Sequence, residues 1–330
     1  YWQHPRFPGK PWDSGNWIVE QKALVDNPDG ATLPRIAAER MAGKPFTVSE
    51  YNHPAPNDFQ AECVPMIAAY GAAQDWDGVW FYTYSHSCDD VDRQVLNSYF
   101  DIDSNPAKWG FMRAGTAIFC GNGIPPLGRI SEVAAWGNTD PLTQIAALHM
   151  KYDRDFLAAV RGVMKDGDNS LWITAQLKID PFGKGRVIEG KSGPGPEVSW
   201  LKNEKGHGTF YAAGPGGIVL ASHSMPESPV NKNGLEISAP SFAALTVTAL
   251  DGMPLADSKK ILVSTCGRCE NRGMIFSQDR RTVGKNWGKA PVEIEPVTGR
   301  VPLPAGDWTC FALNPDGTRT VRPTFSVAFT

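Results

Sequence analysis

The sequence predicts an α/β region followed by an all-β region, and two patterns carry this prediction. In the first part of the chain, β-prone runs alternate with helix-like segments, which is the order of parallel βα units. From about residue 170 onward, short β-prone runs are separated by turn residues, which is typical of an antiparallel β-sandwich. Because 330 residues exceed one average domain, we expect two domains, residues 1–125 and residues 126–330.

The α/β region opens with a helix and a strand. Apolar residues at helical spacing run from 33 to 41, and Gly43 is a plausible C-terminal stop. The β-prone run PFTVS follows at 45–49. Asn57 then caps a second helix, in which Pro65 either introduces a kink or marks the true start of the helix.

A second strand and a third helix follow. The aromatic run VWFYTY at 79–84 comes after an Asp-Gly turn and predicts a strand. A helix is expected from Asn105-Pro106 to residue 119. The two strands begin 34 residues apart (45 to 79), a spacing typical of a (β/α)₈ barrel, in which eight units need roughly 250 residues. Since the pattern stops near residue 125, the sequence predicts a partial (β/α)₈, or TIM-like, barrel.

The all-β region is predicted from β-prone runs that turn residues separate, among them Asp251-Gly252. Residues 126–170 stay open, because 143–163 is compatible with a helix or with the first sandwich strands. The predicted strands are 171–179, 209–213, 218–222, 242–250, 261–266, 307–313 and 324–329.

Composition excludes several classes of protein. Hydrophobic residues make up 42% of the chain and charged residues 20%, as in ordinary globular proteins. The net charge of −3 argues against a nucleic-acid or anionic-membrane surface, and no apolar run approaches the roughly 18 residues of a membrane span. The chain starts at Tyr1 without a visible signal peptide, so we expect a processed product or part of a longer one. The compartment stays open, with a secreted or periplasmic location favoured.

The strongest functional signal is a carboxylate beside aromatic residues. Glu50 directly follows the first predicted strand, and Trp80 and Tyr82 lie near the end of the second. The C-terminal ends of parallel barrel strands form the mouth at which such folds keep their active sites. Sugars are bound by aromatic rings and a few polar groups, and a carboxylate there can attack an anomeric carbon. The pattern therefore indicates a carbohydrate site.

The segments GKPFTVSEYNHPAPN (43–57) and AAQDWDGVWFYTYSH (72–86) resemble strands seven and eight of clan A glycoside hydrolases. YWQHPRFPG at the start resembles the loop after strand six, and ILVSTCGRCENRGM resembles part of a C-terminal β-sandwich in bacterial members. The resemblance implies that Glu50 is the nucleophile of a retaining enzyme and that Trp80 or Tyr82 is the sugar platform. It also implies that Tyr1, His4 and His53 line the rim.

The sequence departs from this family in one large respect. The family's general acid/base carboxylate lies at the end of strand four, whereas the resemblance here begins near strand six. We therefore expect the acid/base to be missing or supplied by another chain. Losing it removes protonation of the leaving group, on the order of 10²–10⁴-fold. The incomplete barrel would also leave a parallel edge uncovered, so we expect self-association into a homo-oligomer or a rearrangement of residues 1–120.

Two rival functions stay open. One is a non-catalytic carbohydrate-binding or structural remnant of a truncated glycosidase. The other is a Ser/His esterase, for which the G-x-S-x-G motif is missing. No cofactor is expected, because the Gly-Pro segments at 193–196 and 214–217 are turns and lack the helix and Lys of a phosphate loop. We also expect no metal at the His residues, and ordinary thiols at Cys266 and Cys269.

Overall fold

The computed structural model describes residues 1–28, 32–89, 93–121, 123–134, 165–166, 169–180, 184–190, 195–322 and 325–329. In this part of the chain strands predominate, helices are few and the strands form several sheets. The structure thus shows a strand-rich fold, and the open segment 143–163 lies outside the described residues. Two paired parallel strands do not by themselves make a barrel, so the partial barrel stays a prediction.

The first part of the chain contains the helix–strand alternation that the sequence predicts. Asn105 accepts a hydrogen bond from the Ala107 amide and Pro106 occupies the first turn, which confirms the third helix. Pro65 lies in the first turn of the second helix, where the missing N–H breaks no internal hydrogen bond. The elements are a 3₁₀ turn at Leu24–Asp26, α1 Thr32–Ala37, β1 Thr47–Tyr51, a 3₁₀ turn at Gln60–Glu62, α2 Cys63–Ala73, β2 Gly78–Phe81 and α3 Pro106–Phe119.

The second part of the chain consists mainly of short strands. Its elements are β3 Ile130–Ala134, β4 Lys165–Asp166, β5 Asn169–Ser170, α4 Leu171–Thr174, β6 Gln176–Asp180, β7 Arg186–Ile188, β8 Glu197–Lys202, β9 Gly208–Gly214, β10 Gly217–His223, β11 Val230–Lys232, β12 Leu235–Ser238, β13 Phe242–Ala249, β14 Ile261–Cys266, β15 Cys269–Arg272, β16 Lys289–Ile294, β17 Thr298–Arg300, β18 Gly306–Cys310 and β19 Phe325–Phe329. The single strand predicted at 171–179 is wrong in its first half, which forms α4.

An antiparallel sheet in the order β14-β13-β10-β9-β8 separates two hydrophobic layers. Because side chains alternate along a strand, Phe210 and Val219 face the layer that contains α2 and α3, whereas Tyr211 and Leu220 face the opposite layer. That opposite layer includes Leu235 and Ile237 of β12 and Val230 of β11, two strands of the three-stranded sheet β11-β12-β17. The alternation of side chains thus lets the five-stranded sheet contribute residues to a hydrophobic core on each of its two faces.

Helix α2 packs on the five-stranded sheet, and its apolar side chains belong to the same hydrophobic cluster as those of β1 and β2. All eleven of its residues are buried and none is charged, as expected for a helix that packs on every side. Helix α3 packs beside it, and a Cβ at Gly115 would lie 2.7 Å from a methyl group of Val64. The glycine therefore permits the close approach of the two helices, which both pack on the five-stranded sheet.

The N-terminal segment is fastened to both regions by buried hydrogen bonds. The Glu62 carboxylate accepts from the amides of Leu24 and Val25, at 2.5 and 3.0 Å. The indole of Trp200 donates to the Val25 carbonyl at 2.7 Å. One hydrophobic cluster extends from Trp2 through the helices to β13 and β14. The two predicted regions thus share a core, and their boundary near residue 125 stays a prediction.

Candidate functional site

Glu50 is turned to the exposed face of β1 by an irregularity in strand pairing. Val48 pairs with Val79 and Tyr51 pairs with Phe81, so the register shifts between these two pairs. Strict alternation would place Glu50 on the same face as buried Val48. Instead Glu50 is exposed and the neighbouring Tyr51 is buried. Such irregularities re-aim side chains, frequently next to active sites.

The Tyr1 hydroxyl donates a hydrogen bond of 2.7 Å to Oε2 of Glu50. Burial and this hydrogen bond raise the pKa of the Tyr1 phenol far above its usual range. The Tyr1 ring is centred 4.8 Å from Phe100 and 6.4 Å from Tyr82, and 5.5 Å from the His4 ring. The structure therefore brings together four of the residues predicted from the sequence, namely Tyr1, His4, Glu50 and Tyr82.

Asn52 connects the end of β1 to the segments that carry two of these rings. It is fully buried, and its side-chain NH₂ donates to the carbonyls of Tyr82 and Phe100, each at 2.6 Å. Its side-chain oxygen accepts from the amide of His53 at 2.8 Å. Because a buried amide is held by its hydrogen bonds, this residue fixes the spacing between Glu50 and the aromatic cluster.

A second polar chain leads away from Tyr82 into the protein. The Tyr82 hydroxyl lies 3.2 Å from Nε2 of His86, and Nδ1 of His86 contacts Oδ1 of Asp101. Arg93 donates to Asp101 at 2.8 Å and to Asp103 at 2.9 Å. Burial alone raises the pKa of the Asp101 carboxyl, but hydrogen bonds from His86, Arg93 and a neighbouring serine outweigh it and lower that pKa. Asp101 is therefore held as a carboxylate.

Trp80 lies on the exposed face of β2, with 56% of its surface accessible. A Cβ added at Gly78 would lie 2.5 Å from the Trp80 ring, so the ring folds back over the start of the strand. Thr47 flanks the same position from β1. Tyr82, at the opposite end of the strand, is the predicted platform residue that lies beside the Tyr1–Glu50 pair.

His53 occupies a different place from the expected rim. Its side chain is fully buried, with Nε2 3.0 Å from the Tyr51 hydroxyl and Nδ1 3.7 Å from Glu62. Burial, reinforced by the positive charge of Lys108, lowers the pKa of this imidazole well below its usual range. His53 is thus a neutral core residue that a sugar at the surface does not reach, because the strand irregularity turns Tyr51 and the chain after it inward.

Metal ligation and membrane insertion find no structural support within the described residues. No group of three or more His, Cys, Asp or Glu side chains there is placed to hold a metal ion. No helix in the described part of the chain is long and apolar enough to cross a membrane. The cysteines of the C-x-x-C segment, Cys266 and Cys269, are buried free thiols.

A cavity of about 420 Å³ lies elsewhere, on the face of the five-stranded sheet that packs against the second hydrophobic layer. Its walls include Ile218, Val247 and Leu255 on one side and residues 302–305 on the other. These side chains carry no titratable or nucleophilic group. This cavity therefore lacks the acid–base and nucleophilic groups that the Glu50 surface carries.

Sequence reasoning missed Phe100, Asn52 and the pair formed by Arg93 and Asp101. These residues lie in loops, and no periodic pattern marks them. The polar run Tyr-Ser-His after the second strand is the signal in the sequence that could have indicated His86. Its acidic partner is fifteen residues further along the chain, where only the folded loop brings it back.

Comparison with known proteins adds no assignment. No family model, no curated protein and no solved structure matches this chain.

Proposed function

We propose that this chain is a glycoside hydrolase-like protein that acts on β-linked glycans with retention of configuration. In this proposal Glu50 is the nucleophile, β1 and β2 belong to a partial (β/α)₈ barrel, and the later sheets form an accessory β-sandwich. The observation that carries the proposal is the irregular register of β1, which turns Glu50 outward, where it contacts Tyr1 beside the partly exposed ring of Tyr82. An exposed carboxylate among such rings meets the two requirements of sugar binding and attack.

Among the described residues, the contact with Tyr1 engages one oxygen of the Glu50 carboxylate and leaves the other for chemistry. Oε2 of Glu50 accepts the phenol hydrogen, so Oε1 is available to attack the anomeric carbon. The bond from Oε1 to that carbon would form as the bond to the leaving oxygen breaks, which yields a glycosyl ester. Water then cleaves the ester. The hydrogen bond from the Tyr1 phenol also orients the Glu50 carboxylate, which favours the geometry needed for attack.

A second carboxylate is needed for the ordinary retaining mechanism, at about 5–5.5 Å from the first. Asp101 and Asp103, the acids nearest to Tyr82 along the polar chain, are both paired with Arg93. We therefore place the usual acid/base outside this site, either missing or supplied by another chain. The parallel pair β1–β2 forms a sheet of two strands among the described residues, and parallel sheets ordinarily have both faces covered. This supports self-association through the incomplete barrel, and light scattering that finds only monomer would contradict it.

The test of Glu50 is a comparison of the wild type with Glu50→Gln on 2,4-dinitrophenyl β-glycosides, whose leaving group needs no protonation. We expect Glu50→Gln to lose at least about 10³-fold in kcat/KM, since the nucleophile is removed. A 2-deoxy-2-fluoro glycoside should label Glu50 covalently, which peptide mass spectrometry locates. Glu227→Gln, which changes an exposed acid elsewhere, is the matched control. Unchanged turnover in Glu50→Gln, or a label at another residue, would refute the assignment.

A non-catalytic carbohydrate-binding remnant is the second candidate. It is favoured because Glu50 is exposed whereas Asp101 and Asp103 are both paired with Arg93. In that case soluble β-glucans bind with the same affinity to the wild type and to Glu50→Gln. No glycoside is turned over and no label is found. Binding and turnover measured on the same two proteins therefore separate the two functions.

A further inference from the structure

Tyr82, His86 and Asp101 form a hydrogen-bonded series that ends at the Glu50 surface. The Tyr82 hydroxyl lies 3.2 Å from Nε2 of His86, and Nδ1 of His86 contacts Asp101. The Asp101 side chain is 1% exposed, whereas that of His86 is 48% exposed. The series therefore runs from a buried carboxylate, through an imidazole, to a phenol at the surface. This is the order of groups found in proton-transfer triads.

We propose that Tyr82 is the catalytic acid and base of this site, with His86 and Asp101 as the positioning residues that supply and remove its proton. The inference rests on the proposed function of Glu50 and replaces the second carboxylate with a phenol. Tyr82 is the right candidate because its ring is centred 6.4 Å from the ring of Tyr1, whose hydroxyl binds Glu50. With 38% of its surface exposed, Tyr82 is open to a sugar bound there.

The anchoring of Asp101 gives the series a fixed direction. The carboxylate also accepts hydrogen bonds from Arg93, the Ser98 hydroxyl and the His86 amide. These contacts keep it ionised, so it holds the Nδ1 hydrogen of His86 in place and stabilises a positive charge on the ring. Nε2 is consequently the nitrogen that faces the phenol.

The proton balance can be written for both steps. In the first step, the Glu50 oxygen bonds to the anomeric carbon while the leaving oxygen takes the Tyr82 hydrogen. The protonated His86 then passes its Nε2 hydrogen to the phenol oxygen and becomes neutral. In the second step, water attacks the glycosyl ester, its hydrogen moves to Tyr82, and the Tyr82 hydrogen returns to Nε2. The sugar gains one hydroxyl, Glu50 is released as a carboxylate, and His86 recovers its proton.

The test uses the dependence on the leaving group, which a purely structural role would not change. We expect Tyr82→Phe to lose about 10²–10⁴-fold in kcat/KM on methyl or phenyl β-glycosides, where protonation matters. On 2,4-dinitrophenyl β-glycosides its rate of glycosyl transfer should stay within about tenfold of the wild type. Tyr84→Phe is the matched control, since this phenol lies on the same loop, is exposed, and has its ring contact with Trp109 and not with Tyr1 or His86. An equal loss on both substrates would overturn the proposal.

A second variant tests the supply of the proton. His86→Ala should show the same selective loss, and added imidazole should restore activity because the half-exposed site admits a free ring. Restoration should disappear in the double variant with Tyr82→Phe. If the fluoro glycoside labels Glu50 but neither variant alters the leaving-group dependence, the Tyr82 proposal fails and the function of Glu50 stands. If no label forms and no glycoside reacts, both fail.

Discussion

Replacing Lys108 by Met should stabilise this protein at neutral pH. Lys108 lies in the first turns of α3 with no exposed surface, and its ammonium has no hydrogen-bond partner among the described residues. Burial lowers the pKa of this amine from 10.5 to about 8, although nearby Cys63 and Cys269 act in the opposite direction. At pH 7 the native protein therefore carries a charge that its surroundings disfavour.

The magnitude follows from the difference in pKa. Each unit corresponds to 1.36 kcal/mol, so a decrease of about 2.5 units amounts to about 3 kcal/mol. Between pH 8 and 10.5 the unfolded chain holds the proton of Lys108 and the native chain does not. The free energy of unfolding therefore rises with pH over this interval through this group. Met is of similar length and carries no charge, so Lys108→Met removes the unfavourable contribution.

The assay is urea denaturation of the wild type and Lys108→Met at several pH values from 7 to 10.5. We expect the variant to be more stable by up to about 3 kcal/mol at pH 7, and this advantage to shrink by about that amount near pH 10.5. Cys63 and Cys269, whose pKa burial raises to about 12, titrate in both proteins and largely cancel in the difference. Exposed Lys205→Met should show no such trend. A destabilised variant whose deficit is the same at every pH would refute the reasoning.

Three further changes test the packing and the sugar surface. Gly208→Ala should lower the free energy of unfolding by about 2–3 kcal/mol in urea titrations. The reason is that a Cβ there would lie 1.7 Å from a carbonyl oxygen of the N-terminal 3₁₀ turn. Gly110→Ala, which has open space at its Cβ, should leave the free energy of unfolding unchanged. Asp26→Asn should cost about 1–2 kcal/mol at pH 7. Its carboxylate accepts from the Gly208 amide and contacts His223. Burial raises the pKa of Asp26, but these contacts lower it on balance below its usual value. The deficit should therefore begin to shrink below about pH 4 and vanish only once the pH falls below the lowered native pKa. Trp80→Ala should weaken the binding of soluble β-glucans about threefold to tenfold in calorimetry. The melting temperature should not change, since the ring is largely exposed. Equal affinity in the variant and the wild type would show that Trp80 is not part of the sugar-binding surface.

Local signals in the sequence predict the elements whose causes are local. Helix α3 begins at the predicted Asn-Pro pair because the cap forms between residues two positions apart. The strands β9, β10, β13 and β14 are found where alternation and turn residues place them. The strand predicted from residue 171 is half wrong, because a short apolar run is compatible with a helix or a strand. Neither periodicity nor turn chemistry distinguishes the two at that length.

From the sequence alone, one can determine that a strand-rich chain carries a carboxylate at a strand end, with aromatic residues nearby. The orientation of the Glu50 side chain could not be predicted from the sequence. It faces outward only because the pairing of β1 with β2, a contact across about thirty residues, is shifted in register. The same holds for buried His53 and for Asp101, which meets His86 only when the loop closes. Side-chain direction and pairing of polar groups depend on register and packing between distant segments, and these are decided by the tertiary structure.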